Sequence, residues 1–445
     1  MMIETFRHPR SCDFSRDFTL SVDGAAVEVL HTEAADFANF IYDASKGPVE
    51  VVVTRLRDTI EAFEIRPRRL GIQGEARVKE LRFTLERAEK LSVEIEGMRP
   101  LFVWANPPEP DRPDPADPKV RYFEAGQIYE MERLSLESGE TLYLEGGAVL
   151  KTRIVTSGAE DVTIRGHGIF DGSFYSRERG DCVPGIVFDR CRRVTVRDIT
   201  MIRPSGWMLL PGACEEVEIF NLKQIGEVVS SDGIDVVGSK RVRIRDCFLR
   251  NNDDCVVVKA FVVGANNLTD TRFDFCECPE DILVERCTLF NAPAGNAMEI
   301  GHELSVDYVR DVTFRDIDVL AVHGHGAVFS LHNNDRAVIS DILFEDIRVE
   351  HCWDKFIDFR ISKSRFSTDE ERGHIRGVTL RNIDWAQMPV NQGYTISLIG
   401  GWGPENRIEA ITFDRLRLNG RAIRHVDELE LTTRYAEDVR VTSPA

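Results

Sequence analysis

A short strand pattern recurs through the larger, C-terminal part of the chain: an apolar residue, any residue, and a second apolar residue. Successive copies start between 23 and 40 residues apart. Repeats of about 20–50 residues that consist of short strands indicate a solenoid or a propeller, because each unit buries its apolar side against its neighbours. The nine copies are Val162–Ile164, Val194–Val196, Val217–Ile219, Val242–Ile244, Ile282–Val284, Val312–Phe314, Ile342–Phe344, Val378–Leu380 and Ile411–Phe413.

The form of this repeat favours a β-helix over the other repeat folds. Propeller blades need four longer strands and a more constant period, and leucine-rich repeats need a leucine ladder. Here the strands are short and β-branched, and no helical periodicity follows them. Coils of a β-helix stack at about 4.8 Å, so side chains one coil apart in sequence become neighbours. A row of outward polar groups bordered by longer loops then forms a groove for an extended polymer.

A segment rich in proline and aspartate, Asn106–Lys119, interrupts the chain and predicts a domain boundary. Its six prolines exclude a regular helix or a central strand, so we interpret it as a linker or an extended edge. The alternating runs Phe18–Val22, Val49–Thr54 and Leu91–Ile95 before it indicate a small antiparallel β-sandwich. We therefore expect a sandwich-like domain with its linker over 1–119 and a β-helix domain over 120–445.

Composition and charge argue against several kinds of partner. No apolar run approaches the roughly 18 residues that span a bilayer. Met1–Arg16 lacks the apolar stretch of a secretion signal, so we expect a cytoplasmic protein. The net charge of −19 repels nucleic acid and anionic membranes. The sequence leaves the oligomeric state open.

The ten cysteines are scattered along the chain and do not form a disulfide scaffold. The tightest group, Cys276, Cys278 and Cys287, lacks the paired spacing or histidine partner of a zinc site. We expect free thiols there, and no cofactor.

The densest acidic motifs are Ser230–Asp235 and Asn251–Cys255. Either motif alone is also typical of turns, where Asp-Gly and Asn-Asp pairs are common. Asp232 and Asp253 are 21 residues apart, close to one short coil, so we expect a cluster of Asp232, Asp253 and Asp254. Carboxylates this close raise the pKa of at least one member, which provides the acid and the base that glycoside hydrolysis needs.

At these motifs the chain resembles the polygalacturonase group, glycoside hydrolase family 28, and its β-helical relatives, the dextranase and isopullulanase group. Ser231–Asp235 and Asn252–Val256 resemble the two aspartate motifs of these families. Similar stretches lie at 139–148, 164–172 and 204–207, and the resemblance covers roughly residues 120–420. It implies a right-handed parallel β-helix of the pectin-lyase-like type and inversion of anomeric configuration. By analogy, Asp253 is the general acid, and Asp232 and Asp254 activate the water.

The chain also departs from the polygalacturonase pattern. The family's Gly-His-Gly motif is matched by Gly295–Ala297, so Asn296 replaces the histidine. The family's Arg-Ile-Lys motif, which binds a uronate carboxylate, is matched by Ala327–Leu331. Apolar Phe329 and Leu331 would then replace the cations, which favours a neutral sugar over galacturonate.

Several further side chains are candidates for substrate binding. The histidines could instead cap turns, or hold a metal, although their spacing matches no known ligand motif. Trp207 and Trp353 are candidate stacking platforms, although aromatic residues in this fold are more often core. The predicted substrate-binding set is Trp207, Lys259, Asn296, Glu299, His302 and His332, and His323 and His325 lie nearby in sequence.

These features together predict an inverting O-glycoside hydrolase that acts on a neutral oligo- or polysaccharide. The runner-up is a galacturonidase or related uronan hydrolase with a rearranged carboxylate site. A carbohydrate lyase or epimerase, and a glycan-binding β-helix without activity, are the remaining alternatives.

Overall fold

The apolar positions of the repeat stack directly on one another. In the computed structural model, which describes residues 2–264, 272–386 and 396–442, each repeat copy begins one coil of a parallel β-helix. The first apolar residue of each copy pairs with that of the next, from Val162 with Val194 through to Val378 with Ile411. All nine are buried in one continuous core. The predicted all-β, parallel β-helical fold is confirmed, and crossovers between parallel strands of this kind are right-handed.

The coils form three parallel sheets. Within each coil the chain passes first through sheet 1, which contains the repeated apolar pattern, then through sheet 2 and then through sheet 3. Sheet 1 contains Val120–Phe123, Thr141–Leu144, Glu160–Arg165, Arg192–Arg197, Glu215–Phe220, Lys240–Arg245, Glu280–Glu285 and Ala436–Thr442. Sheet 2 contains Ile169–Asp171, Thr200–Ile202, Lys223–Ile225, Phe248–Asn251 and Thr288–Asn291. Sheet 3 contains Ile186–Asp189, Leu209–Gly212, Ile234–Val237, Val256–Ala260, Met298–Leu304, Ala327–Asn333, Lys355–Ile361, Ser397–Gly400 and Leu431–Arg434.

Some strands are long enough to belong to two sheets. Four of them run through sheets 1 and 2: Tyr308–Val322, Val338–Val349, His374–Trp385 and Ile408–Leu418. Two near the start, Ile128–Leu134 and Val149–Ser157, run through sheets 2 and 3. The strand Arg421–Ala422 pairs antiparallel with the end of Ile408–Leu418. The short pieces outside the three sheets are the strands Val262–Val263 and Phe273–Asp274 and the 3-10 helices Ala44–Lys46, Arg68–Leu70, Gly172–Phe174, Arg177–Arg179 and Val426–Leu429.

The bend between sheets 1 and 2 is a single residue in the left-handed conformation, usually aspartate or asparagine. These residue types tolerate that conformation better than other non-glycine residues do. The polar residue that follows each apolar pattern therefore shapes the coil. Six examples have φ between 51° and 67°: Asp198, Asn221, Asp246, Asp316, Asp346 and Asn382. In the part of the chain that the structure describes, no helix is long and apolar enough to cross a membrane.

The N-terminal strands form two sheets that pack face to face around a separate core. One sheet contains Ile3–Thr5, Val29–His31, Asp36–Tyr42, Phe63–Arg66, Lys90–Ile95 and Leu101–Asn106. The other contains Phe18–Val22, Ala25–Val27, Val49–Arg55, Gly74–Arg77 and Glu80–Leu85. The sandwich is antiparallel except for one parallel pair, Asp36–Tyr42 with Leu101–Asn106.

This sandwich covers the outer face of sheet 2. Phe102 and Trp104 pack on Phe248 of the β-helix, with ring centroids 4.8 Å and 5.7 Å from it. The proline-rich segment is held against the first coils, where Arg165 pairs with Glu109 at 2.9 Å. Sheet 3, next to the covered sheet 2, stays accessible along its later coils, and the acidic motifs precede strands of this sheet.

Candidate active site

The three aspartates lie where the chain passes from sheet 2 to sheet 3. Asp232 precedes the strand Ile234–Val237, and Asp253 and Asp254 precede the strand Val256–Ala260 one coil later. These strands pair in register, and the Gly233 amide donates to the Asp254 carbonyl at 2.8 Å. One carboxylate oxygen of each aspartate lies within 4.8 Å of the others. Coil stacking thus brings together the three carboxyl groups that the sequence spacing predicts.

Two glycines allow this close packing of turns. A Cβ atom on Gly233 would lie 2.4 Å from the Cys255 carbonyl oxygen, and one on Gly295 would lie 2.3 Å from the Asp254 amide nitrogen. Neither position has room for a side chain. The turn of the first motif is also tied to the second, because the Ser230 amide donates to Asp253 Oδ2 at 3.0 Å.

Asp253 has the properties of a proton donor. Its side chain is partly accessible from the groove, and burial together with the charge of Asp232 raises its pKa to about 7. Burial and the neighbouring Asp253 also raise the pKa of Asp254 well above its ordinary value. Asp254 is held by Asn296, whose backbone and side-chain nitrogens donate to Oδ1 at 2.7 Å and 3.0 Å.

Lys259 compensates the charge of the buried carboxylates. Its ammonium lies 2.9 Å from Asp232 Oδ2 and 3.0 Å from Asp235 Oδ1. Burial alone would lower the pKa of Lys259, but these two carboxylates raise it well above its ordinary value. The ammonium also lies 4.0 Å from the Trp207 ring centroid. Lys259 therefore touches the groove while it holds Asp232 in place.

Three predictions about substrate-contacting aromatic and acidic groups need correction. Trp207 is only 5% exposed and carries Lys259 over its ring, so it supports the ammonium and offers no open stacking platform. Trp353 does not line the groove. Glu299 is fully buried beneath His332, with 3.1 Å between its Oε1 and His332 Nδ1, and cannot touch a sugar.

The replacement of Arg-Ile-Lys by apolar groups is also a wrong interpretation. Phe329 and Leu331 point into the β-helix core, where the Phe329 ring contacts Phe344 and Phe356. Strand residues alternate between the two faces, so Ser330 and His332 are the outward members of this stretch. The apolar residues therefore say nothing about the sugar that the groove accepts.

A polar network lies at the far end of the groove, around His332. His332 contacts Glu299 through Nδ1 and lies 3.4 Å from Asp358 through Nε2. Burial lowers the pKa of His332, but these two carboxylates raise it to about 9, so the ring is a cation. Arg360 pairs with Asp358 at 2.7 Å. Lys355 lies 3.6 Å from the same carboxylate.

His302 stacks on His332 with ring centroids 4.3 Å apart and planes 12° apart. Glu299, His302 and His332 present ligand atoms within 4.8 Å of one another. Lone pairs of two nearly parallel imidazoles lie in parallel planes, however, and do not converge on one ion between them. This arrangement does not fit a metal site.

The groove that these groups line encloses about 910 Å³, ample for several sugar units. His325 lies at its rim, whereas His323 packs against Phe290 outside it. Sequence reasoning missed five charged lining residues. Some of them could have been found from the charged positions within the otherwise apolar strand Lys355–Ile361. The missed residues are Glu303, Lys355, Asp358, Arg360 and Arg365.

A parallel β-helix that carries clustered carboxyl groups in an open groove has the chemical groups that glycoside hydrolysis requires. The family model of glycosyl hydrolases family 28 matches residues 151–383, and the chain belongs to that family. The resemblance to this family that the motifs at Asp232 and Asp253 indicated is thereby confirmed.

Two curated relatives are polygalacturonases from conifers. The chain is 30% identical to that of Chamaecyparis obtusa over 125 residues, which is 24% of each chain. It is 34% identical to that of Juniperus ashei over 86 residues, 19% of this chain and 16% of the other. The chain thus matches about a quarter or less of the length of these relatives.

Solved structures share the fold. Dex49A from Penicillium minioluteum has a TM-score of 0.67 at 12% identity, covering 99% of this chain and 96% of the other. The exopolygalacturonase from Thermotoga maritima has a TM-score of 0.50 at 18% identity, covering 71% and 82%. The first similarity extends over the N-terminal sandwich as well as the β-helix.

The substitution Lys259→Met tests the electrostatic role of this lysine. It leaves the carboxylates of Asp232 and Asp235 buried without their cation, so we expect the free energy of unfolding at pH 7 to fall by about 3–5 kcal/mol. Urea denaturation followed by tryptophan fluorescence measures this change. The control Lys240→Met removes a partly exposed lysine 3.8 Å from Glu280 and should cost at most about 1 kcal/mol. A similar small loss for both variants would contradict the assigned role.

Proposed function

We propose that this protein hydrolyses O-glycosidic bonds with inversion, using Asp253 as the general acid and Asp232 as the base, with Asp254 helping to hold and activate the water. The observation that carries this proposal is the meeting of three carboxyl groups in an open groove, one of them with a pKa near neutrality. Hydrolysis needs a protonated acid at the leaving oxygen and an ionised base at the water. One carboxyl group stays protonated while another is ionised at the same pH only when the two groups lie in different environments.

Asp253 is suited to the proton transfer because it reaches the groove and keeps its proton up to about pH 7. The leaving glycosidic oxygen takes this proton as the bond to the anomeric carbon breaks. The Ser230 and Asp254 amides donate to Asp253 at 3.0 Å and 3.1 Å and fix the carboxyl in position. The carboxylate that results then regains a proton from the solvent.

We assign the activation of the attacking water to Asp232 and Asp254. Lys259 holds Oδ2 of Asp232, and Asn296 holds Oδ1 of Asp254. Among the described residues, Oδ1 of Asp232 is buried and accepts no hydrogen bond, so a water that reaches it would supply the missing partner. Inverting pairs are usually about 6.5–9.5 Å apart because a water fits between acid and base. The nearest carboxyl oxygens of the three aspartates here lie within 4.8 Å of one another, so the water would bridge Asp232 and Asp254 instead of occupying a wide gap between acid and base.

The charge balance of the groove supports a neutral sugar. His332, Lys355 and Arg360 are cationic, but Asp358 and the buried Glu299 pair with them. Lys259 is likewise committed to two carboxylates. A uronate would therefore have to compete with the existing carboxylate partners of these cations.

A uronan hydrolase is the second candidate, favoured by one observation. Arg365 is exposed at the rim of the groove, over the Phe366 ring, with no acidic partner among the described residues. An arginine in this position is suited to a sugar carboxylate. Both curated relatives are named polygalacturonases.

The substitution Asp253→Asn tests the reaction. An amide cannot donate the proton that the leaving oxygen needs, so kcat should fall by about 10²–10⁴-fold. In the wild-type enzyme, kcat/KM should fall as the pH rises above about 7, because the acid form of Asp253 is then lost. Release of reducing sugar between pH 4 and 9 measures both effects. The control Asp311→Asn alters an exposed carboxylate on sheet 1 and should leave turnover unchanged. Full activity of Asp253→Asn would refute the assignment.

A panel of substrates separates the two candidates. We expect kcat/KM on at least one neutral oligosaccharide to exceed that on oligogalacturonate by about tenfold or more, because the groove cations are already paired. The variant Arg365→Ala should then keep wild-type activity on the neutral substrate. Preference for oligogalacturonate that Arg365→Ala removes would establish the uronan hydrolase. An unsaturated product that absorbs in the ultraviolet would instead indicate a lyase.

A further inference from the structure

An irregularity in the strand Met298–Leu304 alters the wall of the groove beside the triad. Val258 pairs with Ile300 and Ala260 pairs with Leu304, so the single residue Lys259 faces three residues, Gly301–Glu303. Such bulges redirect side chains, and they are common next to active sites. Here the bulge places His302 and Glu303 in the groove, next to the lysine that holds Asp232.

Gly301 makes the bulge possible. Its φ is 128°, a conformation that L side chains rarely adopt. A Cβ atom there would lie 2.0 Å from the His332 carbonyl oxygen of the next coil. The position therefore has neither the conformational freedom nor the space for another residue, and the two side chains that follow are held rigidly.

Glu303 has no role in the reaction proposed above. Its side chain lines the groove although the residue is only 4% exposed. No other described residue donates a hydrogen bond to its carboxyl, and Lys259 is already engaged by Asp232 and Asp235. Asp335, the other charged group nearby, is itself held by the amides of Leu304, Thr368 and Asp369.

The surroundings keep this carboxyl uncharged over part of the neutral range. Burial raises the pKa of Glu303 to about 7, Lys259 opposes this shift, and Asp232 and Asp335 add to it. A buried carboxyl that has no partner on another described residue is costly unless a ligand supplies one.

His302 beside it is a fixed neutral donor. Burial and the cationic His332 lower the pKa of His302 to about 3. Nδ1 lies 3.2 Å from the Asn334 amide nitrogen, which donates to it, so the ring proton is on Nε2. The ring is held between His332 and Phe366, whose centroid is 5.0 Å away.

We propose that Gly301–Glu303 forms a subsite for an uncharged sugar next to the cleaved bond, in which Glu303 binds a hydroxyl group and determines specificity. This inference rests on the proposed function and deepens it. A carboxyl group both accepts from and donates to a hydroxyl, and His302 provides a second donor. A uronate carboxylate placed there would find no unpaired cation among the described residues, since Lys259 is held by Asp232 and Asp235, so the subsite favours an uncharged sugar.

The variants Glu303→Ala and Glu303→Gln test this subsite on the glycan that the wild-type enzyme cleaves best. Glu303→Ala should raise KM by about 10–100-fold and change kcat by less than about threefold, because it removes binding that the ground state and transition state share. Glu303→Gln keeps both a donor and an acceptor, so its KM should stay within about threefold of wild type. It should also lose the change in KM that the wild type shows between pH 6 and 8.

The control Glu345→Gln alters a carboxylate on sheet 1 that pairs with Arg381 at 3.0 Å, and should leave KM unchanged. Melting temperatures of all variants show whether they fold, and Glu303→Gln carries the test if Glu303→Ala does not. Wild-type KM in Glu303→Ala, or an unaltered pH dependence of KM in Glu303→Gln, overturns the subsite. If those outcomes overturn the subsite while Asp253→Asn is inactive in the same assays, the proposed function stands and only the subsite is wrong. If Asp253→Asn is fully active, the proposed function is wrong as well.

Discussion

The in-register hydrogen bonding between coils is the constraint on which the rest of the structure depends. The hydrogen bond from the Gly233 amide to the Asp254 carbonyl fixes the position of the first acidic turn relative to the second. Sheet 3 repeats this relation coil after coil, so the residues before and after its strands form rows along the groove. Length variation is absorbed by the loops between strands, which is why Asp254 and Asn296 are in contact although 42 positions separate them.

The buried carboxyl groups of the groove differ in whether a cation lies beside them. Asp232 has Lys259 as a cation, whereas Asp253 and Glu303 lack one of their own, and the pKa of each of these two is raised to about 7. Asp253 thus keeps its proton into the neutral range, as a general acid requires, while Lys259 lies beside the aspartate that we assign as the base. Lys259 and Asn296 act through the aspartates that they hold.

The fold and the meeting of the three aspartates could be predicted from the sequence, because the spacing of short apolar patterns determines which residues stack. The wall of the groove could not. Phe329 and Leu331 were assigned to the groove by similarity of motif, and only the alternation of the strand shows that they point inward. The bulge at Gly301 depends on the close approach of the His332 carbonyl, a contact between coils that no local pattern encodes.

The stereochemistry of the product tests the central claim most directly. Proton NMR of the sugar released in the first minutes, before mutarotation, shows which anomer the enzyme forms. A water held by Asp232 and Asp254 opposite the leaving group predicts the anomer opposite to that of the cleaved bond. The same anomer as in the substrate would contradict the account, because retention requires one of the carboxylates to attack the sugar itself.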